Sequence, residues 1–334
     1  MKIVHVVAGL EAANGMATVV RGLAQAECGM GHEIVVVSTR PADGSVLPET
    51  PCARQEVFAR SAVPLLKDIC FSFGLLHALP RICCGADIVH VHGTWTFPVW
   101  WGVRCAVRMG CRVVLTPHGG YDPVRIAHGA WKKRLVSGLD RRCLQVATLV
   151  QVTSADEAEW VRSFEHRVRR IVVVPPGVSA PPQTMPLVRH MPLHVLYLGR
   201  RHPLKGLDLL EKAIEGLDVE LKIADTATGY DKERLFAWCD VLVLPTRSEN
   251  FGLVVAEALV RARPVVVTRA APWRELTVRR CGWVTDVSAG SLRTALLDAQ
   301  NAPLAEMGVR GREWMLADFR WADRAHDLLE AIGA

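Results

Sequence analysis

The sequence predicts an α/β protein made of two Rossmann-like units, each built on a parallel sheet. Three observations carry that expectation. Short Val/Ile-rich runs recur along the chain, separated by segments of helical length, which is the pattern of strands buried on both faces of a parallel sheet. A proline-rich stretch at 177–192 contains Pro181, Pro182, Pro186 and Pro192 and divides the chain near its middle; it suits neither a helix nor a central strand and reads as a linker. The chain, at 334 residues, is long enough for two cores of ordinary size.

In the first half the apolar runs fall at 3–8, 33–38, 87–92, 112–116, 148–153 and 170–174. Each stops at a turn or polar residue: Gly9, Thr39, Gly93, Pro117, Ser154 and Pro175. Ligands of open parallel sheets bind outside the carboxyl ends of strands, so the loops that follow these runs are where chemistry is expected. The second half reads as strand 194–198, helix 206–215, strand 219–224, helix 231–238, strand 241–244, helix 252–261, strand 264–268, a short strand at 283–284 and helix 289–300. The predicted domains are therefore 1–176 and 193–310, joined by the linker 177–192 and followed by an amphipathic C-terminal helix at 311–334.

Composition narrows the function class. Half the residues are apolar and 22% are charged, which fits a globular protein and excludes a disordered one. With 40 Lys+Arg against 34 Asp+Glu, the net charge of +6 is a mild bias toward anionic partners and no argument for nucleic acid. Ten cysteines scatter without a CxxC or a Cys/His zinc spacing, so buried thiols in a reducing compartment are expected. Met1-Lys2 leads straight into the first strand with no apolar leader. The most apolar stretch, 63–86, is broken by Lys67, Asp68, His77, Pro80 and Arg81 and is not expected to span a membrane. A cytoplasmic protein is the expectation.

Five loops hold candidate chemistry. The apolar run 240–245 is followed by Thr246-Arg247-Ser248-Glu249-Asn250-Phe251-Gly252-Leu253 and then helical sequence. The N–H groups of Phe251 to Val254 at that helix start would attract an anion or sugar oxygens. Glu249 sits at the loop mouth, with Glu257 about 7–8 Å along the helix at ~1.5 Å per residue. Two acids so placed can hold two distant parts of one extended ligand; read alone, a surface Glu and an acid complementing the helix dipole explain them equally well.

Leu198-Gly199-Arg200-Arg201-His202-Pro203-Leu204-Lys205-Gly206 sets two cations, Arg200 and Lys205, where a diphosphate would meet a helix N-terminus. The loop 9–17 places Gly15 at a helix start but lacks the GxGxxG spacing, which disfavours an NAD-type oxidoreductase. Thr116-Pro117-His118-Gly119-Gly120-Tyr121 puts a histidine in a loop at a strand end, where a neutral imidazole can bond a sugar hydroxyl and an imidazolium can hold a phosphate. His92, in Val91-His92-Gly93-Thr94-Trp95, ends another strand beside His90; a core role fits His92 as well as a site role and fits His90 better. Ser154, followed by Asp156 and Glu157, reads as a helix N-cap with an acidic first turn.

Ser248-Glu249-Asn250-Phe251-Gly252, followed after four intervening residues by Glu257-Ala258, resembles the signature of the family-4 retaining glycosyltransferases. The other loops agree with that family in order along nearly the whole chain. The resemblance implies the GT-B fold, with two Rossmann-like domains facing across a cleft and C-terminal helices that return to the first domain. It implies a transfer from a UDP- or GDP-sugar to a hydroxyl of a glycan or glycolipid acceptor, as in lipopolysaccharide or exopolysaccharide assembly; with no compelling Asp-x-Asp after an apolar strand, a metal-independent reaction without cofactor is expected. By the same resemblance Arg200 and Lys205 hold the diphosphate. Glu249, Asn250, Phe251, Gly252 and Leu253 face the donor sugar, Glu257 the ribose, and Gly15 and Gly199 the donor loops. His118 lies near the bond that breaks, and His92, Trp95 and Tyr121 near the acceptor.

The chain departs from the family where Pro176-Gly177-Val178 replaces Asn-Gly-Val, and in the short interval between Lys205 and Glu249. An inverting transferase, a sugar-nucleotide epimerase and a non-catalytic nucleotide-sugar-binding subunit remain alternatives. Two features suggest a lipid surface: the aromatic cluster Trp95, Phe97, Trp100 and Trp101, and the basic stretch 125–142 with Lys132, Lys133, Arg134 and Arg141. A solvated basic helix accounts for the latter equally well.

Overall fold

The computed structural model describes residues 1–11, 15–40, 49–127, 129–182 and 185–333. Packing divides the chain into two compact units, Met1–Gly177 with Trp321–Ala334, and Val178–Arg320.

The first unit holds seven parallel strands: β1 (Lys2–Val7), β2 (Glu33–Arg40), β3 (Arg54–Ala59), β4 (Ile88–His92), β5 (Arg112–Thr116), β6 (Leu149–Val152) and β7 (Ile171–Val173). Their order is β3-β2-β1-β4-β5-β6-β7. Alternate residues of β1 feed two apolar layers: Val4 and Val6 join Val89, Val91 and Leu115 on one face, while Ile3 and Val7 join Ile34, Val36 and Val114 on the other. Both faces are covered, and this explains why the strands read as unbroken apolar runs. β3 escaped the sequence reading because it is a polar edge strand, Arg-Gln-Glu-Val-Phe-Ala, only half-buried. The strand order changes direction between β1 and β4, so the loops after these two strands flank the switch in sheet topology.

The second unit holds β8 (Leu193–Leu198), β9 (Val219–Ala224), β10 (Val241–Leu244), β11 (Val265–Thr268) and β12 (Gly282–Thr285) in the order β12-β11-β10-β8-β9. Its switch lies between β8 and β10, beside the loops that begin at Gly199 and Pro245. Among the described residues the sheet ends on β9, whose side chains alternate toward solvent. The short interval between Lys205 and Glu249 has this structural meaning: no strand among the described residues lies outside β9.

The C-terminal segment is two helices where the sequence suggested one. Leu304–Asp318 belongs to the second unit, with Gly308 so close to Ala262 that a β-carbon there would lie 2.1 Å from its carbonyl oxygen. Trp321–Ile332 belongs to the first unit and lies on the helix Gly15–Gly29, where Gly22 leaves room for the Trp321 indole. The boundary near 177 falls at Gly177, with the Val178 N–H donating to the Phe319 carbonyl at 2.7 Å. Among the described residues no helix is long and apolar enough to cross a membrane.

Candidate active site

The two loops at the switch of the second sheet are locked to each other. Gly206 has φ +67°, and a β-carbon on it would sit 1.9 Å from the Pro245 carbonyl oxygen, so only glycine permits the approach. The Arg247 N–H and the Thr246 hydroxyl both donate to the Leu204 carbonyl, at 2.7 and 2.9 Å. The Arg247 guanidinium also grips both oxygens of Asp208. These ties bring Lys205 Nζ to 2.5 Å from Glu249 Oε2, although 44 positions separate the two residues. Glu249 is 8% exposed, and its other oxygen accepts from the Asn250 N–H at 3.2 Å.

Arg200 is exposed at the start of the first loop, and its carbonyl accepts from the Tyr197 hydroxyl at 3.1 Å. Gly199 continues the β8–β9 ladder by donating to the Ala224 carbonyl. Phe251 anchors the second loop: its ring is buried and its carbonyl accepts from the Trp273 indole N–H at 2.5 Å. Gly252, at φ +78°, turns the chain into the helix Leu253–Leu259. Glu257 on that helix is paired with Lys232 Nζ at 2.7 Å, a partner that the local sequence around Glu257 does not announce.

In the first unit His118 follows β5 with φ +53°, in the left-handed region that non-glycine residues rarely adopt. Its loop is tied down from the helix that follows β6: the Gly119 N–H donates to Glu157 Oε1 at 2.5 Å, while Glu157 Oε2 accepts from the Thr153 N–H and hydroxyl at 2.8 and 2.9 Å. Ser154 does cap the helix Ala155–Phe164 through the Glu157 N–H. The same glutamate thus has a second job, holding the histidine loop.

His118 also ends a buried chain of side chains. Its Nε2 lies 3.1 Å from His92 Nδ1, His92 Nε2 lies 3.0 Å from His5 Nδ1, and His5 Nε2 lies 2.6 Å from Glu27 Oε2. Burial pulls the His118 imidazole down to about 4 and holds His92 and His90 well below the usual histidine range, so all three are neutral at pH 7. His90 is a core histidine bonded to the Thr116 hydroxyl at 2.7 Å, which in turn donates to Gln151.

Two of the three expected acceptor residues are interior. His92 is buried with both ring nitrogens engaged. Tyr121 is 1% exposed and spends its hydroxyl on Asp140 Oδ1 at 3.0 Å. Trp95 is half-buried; its backbone N–H also donates to Asp140 and its indole to the Gly120 carbonyl. The aromatic cluster is likewise inward, with the Trp100 indole on Asp140 at 2.7 Å and the Trp101 indole on the Leu76 carbonyl at 3.1 Å. Gly15 opens the first helix and is exposed, while residues 12–14 of its loop lie outside the described residues.

Sequence reasoning passed over Glu27, His5 and Asp140, and gave Glu157 only a place in an acidic first turn. One signal was present: Glu27 continues the helix face formed by Val20, Leu23 and Ala24, and an acid on an apolar stripe asks for a buried partner. Two histidine clusters bring their donor atoms close enough to share an ion: His5 with His90 and His92, and His190 with His194 and Asp240. Hydrogen bonds within the protein already engage these side chains, including His190 Nδ1 on Asp240 Oδ1 at 2.9 Å and His194 Nδ1 on the Trp238 carbonyl at 3.1 Å.

Comparison with known proteins places this geometry. A D-inositol 3-phosphate glycosyltransferase from Xylanimonas cellulosilytica is 29% identical over 233 residues, covering 56% of this chain and 55% of that protein. The match thus spans little more than half the length of such relatives. The fold is that of sucrose-phosphate synthase from Thermosynechococcus elongatus (TM-score 0.78, 18% identity, 99% of this chain and 98% of that one). It is equally that of Anabaena HepE, solved with UDP and glucose (TM-score 0.76, 17% identity, 100% and 99%). The two parallel-sheet units are of the GT-B kind. A sequence profile described as Glycosyl transferases group 1 matches residues 177–299. With the profile of Glycosyltransferase Family 4 matching residues 13–180, half of its length, the chain belongs to that family.

Proposed function

We propose that the protein moves a sugar from a UDP- or GDP-sugar to a hydroxyl of a glycan or lipid-linked acceptor in envelope polysaccharide assembly, keeping the anomeric configuration. The Lys205–Glu249 pair carries this reading: a cation and an acid from distant positions meet at the loops of the sheet switch, where α/β proteins bind nucleotides. Lys205 and Arg200 take the diphosphate, whose charge grows as the glycosidic bond breaks, and fixed cations stabilise it without a metal ion. Binding of the diphosphate draws Lys205 away from Glu249 and frees that carboxylate for sugar hydroxyls. Asn250 and the amides of Phe251, Gly252 and Leu253 complete the sugar contacts, Gly199 and Gly15 belong to the donor loops, and Glu257 takes the ribose. His118 meets a hydroxyl near the reacting bond, and the departing phosphate oxygen accepts the proton of the acceptor hydroxyl.

Thermal shifts with UDP-, GDP- and ADP-sugars test the donor class. The true donor at a hundredfold excess over Kd stabilises by about 2.7 kcal/mol. No shift with any of the three, together with no transfer, rejects the reading. The anomer of the product, by NMR, separates retention from inversion, and donor binding without turnover identifies a non-catalytic subunit.

A membrane-facing acceptor fits one further surface. On the helix Ala130–Val146, Trp131 (67% exposed), Leu135 (77%) and Leu139 (49%) recur every four residues as an open apolar stripe. Lys132 Nζ, 3.0 Å from Asp68 Oδ2, ties this helix to Pro64–Asp68. Leu65 on that short helix is 80% exposed. Such a stripe among Lys132, Lys133 and Arg134 suits the anionic inner face of the cell membrane, at about 1 kcal/mol per basic residue near the surface. Sedimentation with phosphatidylglycerol vesicles should retain the protein, and Trp131→Ser with Leu135→Ser should release it. Equal partition of both proteins with neutral vesicles, or none with anionic ones, would refute the contact.

A further inference from the structure

We infer that buried Glu27, acting through His5 and His92, sets the tautomer of His118 and makes its free Nδ1 a hydrogen-bond acceptor reserved for a hydroxyl. The proposed sugar transfer gives that hydroxyl its identity, and to that extent the inference rests on it. The relay itself does not.

The direction of the chain follows from what each group can do. The relay takes Glu27 as its accepting end, so His5 Nε2, at 2.6 Å from Glu27 Oε2, is the donor and carries a proton. With that one proton on the ring, His5 Nδ1 is a lone pair and accepts a hydrogen bond from His92 Nε2 at 3.0 Å. His92 Nδ1 becomes the next lone pair and accepts from His118 Nε2 at 3.1 Å. The proton on His118 therefore sits on Nε2 and points inward. Its Nδ1 has no hydrogen-bond partner among the described residues and keeps its lone pair.

The geometry supports each step. The ring centroids are 5.3 Å apart for His5 and His92 and 5.4 Å for His92 and His118, near the greatest separation that N···N distances of 3.0 and 3.1 Å allow, so the bonds run close to the ring planes. Glu27, His5 and His92 are 1% exposed or less, so the chain is shut off from bulk solvent. His90 stacks on His92 with centroids 3.9 Å apart but spends its Nε2 on Thr116, so it does not divert the relay. The left-handed backbone at His118 and the Gly119–Glu157 bond hold the last ring in place.

An acceptor-only nitrogen discriminates between ligands. It bonds an O–H and repels a phosphate oxygen, whose lone pairs would face its own. Of the two roles open to His118 from its sequence context, this assigns the sugar hydroxyl and removes the leaving diphosphate. Glu27, His5 and His92 are positioning residues, since none of them is open to substrate.

The tautomer is directly observable by long-range 15N–1H correlation spectra of the histidine side chains, with His118→Asn to assign the signal. The intact protein should show His118 with Nε2 protonated and Nδ1 bare. In Glu27→Met the acceptor is gone, His5 moves its proton to Nδ1, and the order reverses down the chain to leave His118 with Nδ1–H. Transfer by that variant should fall roughly 10–100-fold in kcat with little change in donor KM, the scale seen when a group that orients a functional histidine is lost. If Glu27→Met does not fold, the isosteric Glu27→Gln, which can donate or accept, should give a mixture of the two tautomers. A wild-type His118 protonated on Nδ1, or an unchanged His118 signal in whichever of these variants folds, overturns the relay. A tautomer that switches in a protein with no transferase activity keeps the relay and removes the sugar-transfer reading instead.

Discussion

Lys205→Ala is expected to slow sugar transfer about 10²–10³-fold, the usual loss when a preorganised group facing the developing charge is removed. The fall should appear mainly in kcat, because the diphosphate charge that Lys205 meets is greater in the transition state than in the bound donor. Glu249→Gln should slow the reaction too, through lost contacts to the donor sugar. The double variant should lose less than the sum, since the two side chains touch at 2.5 Å in the resting protein. The alanine variant also leaves a carboxylate that is 8% exposed without its cation, so its melting temperature must be followed alongside the kinetics. Undiminished turnover in a folded Lys205→Ala protein would remove the central assignment.

Asp140→Ala is expected to be the most destabilising single change in the first unit. Its carboxylate accepts from the Trp95 backbone N–H at 3.0 Å, the Trp100 indole at 2.7 Å and the Tyr121 hydroxyl at 3.0 Å. Truncation leaves three donors in the interior, each costing about 1–3 kcal/mol when unpaired. A net loss of roughly 3–5 kcal/mol follows, a large part of the ~5–15 kcal/mol that holds a domain together. Asp140→Asn should fall between the two, because its amide nitrogen turns one donor contact into donor against donor.

Burial raises the Asp140 carboxyl above its ordinary range, and the bonds from Trp100, Trp95 and Tyr121 offset part of that rise. The sign is then set: the folded state holds this proton more tightly than the unfolded one, so the contribution of Asp140 to stability falls as pH rises through the raised value. Urea unfolding of the three proteins at fixed pH measures the ranking. A shift for Asp140→Ala within about 0.5 kcal/mol, as for an ordinary surface change, would show that the three donors find other partners.

Much of the architecture is written locally. Runs such as Ile3-Val4-His5-Val6-Val7 alternate between two apolar layers, and that pattern needs no knowledge of the neighbouring strand. Gly206 and Gly252 occupy left-handed backbone positions that few other residues accept, so the turns carrying Lys205 and Glu249 were legible too. β3 was not, because an edge strand need not be apolar, and neither was the break at Phe319-Arg320 that sends two consecutive helices to different units.

Sequence by itself determined the two α/β units, the loops in which cations, acids and histidine would be found, and the family they belong to. Only the tertiary structure decided which of those side chains meet. Lys205 reaches Glu249 because β8 and β10 are neighbours in the sheet, although 44 positions lie between the two residues. His5 reaches His92 across 87 positions because β1 lies beside β4. His92 and Tyr121 sit at strand ends that look open in the sequence, yet sheet order and helix packing bury both. Side-chain periodicity and backbone φ are properties of a few consecutive residues; burial and hydrogen-bond partners depend on which strands lie side by side.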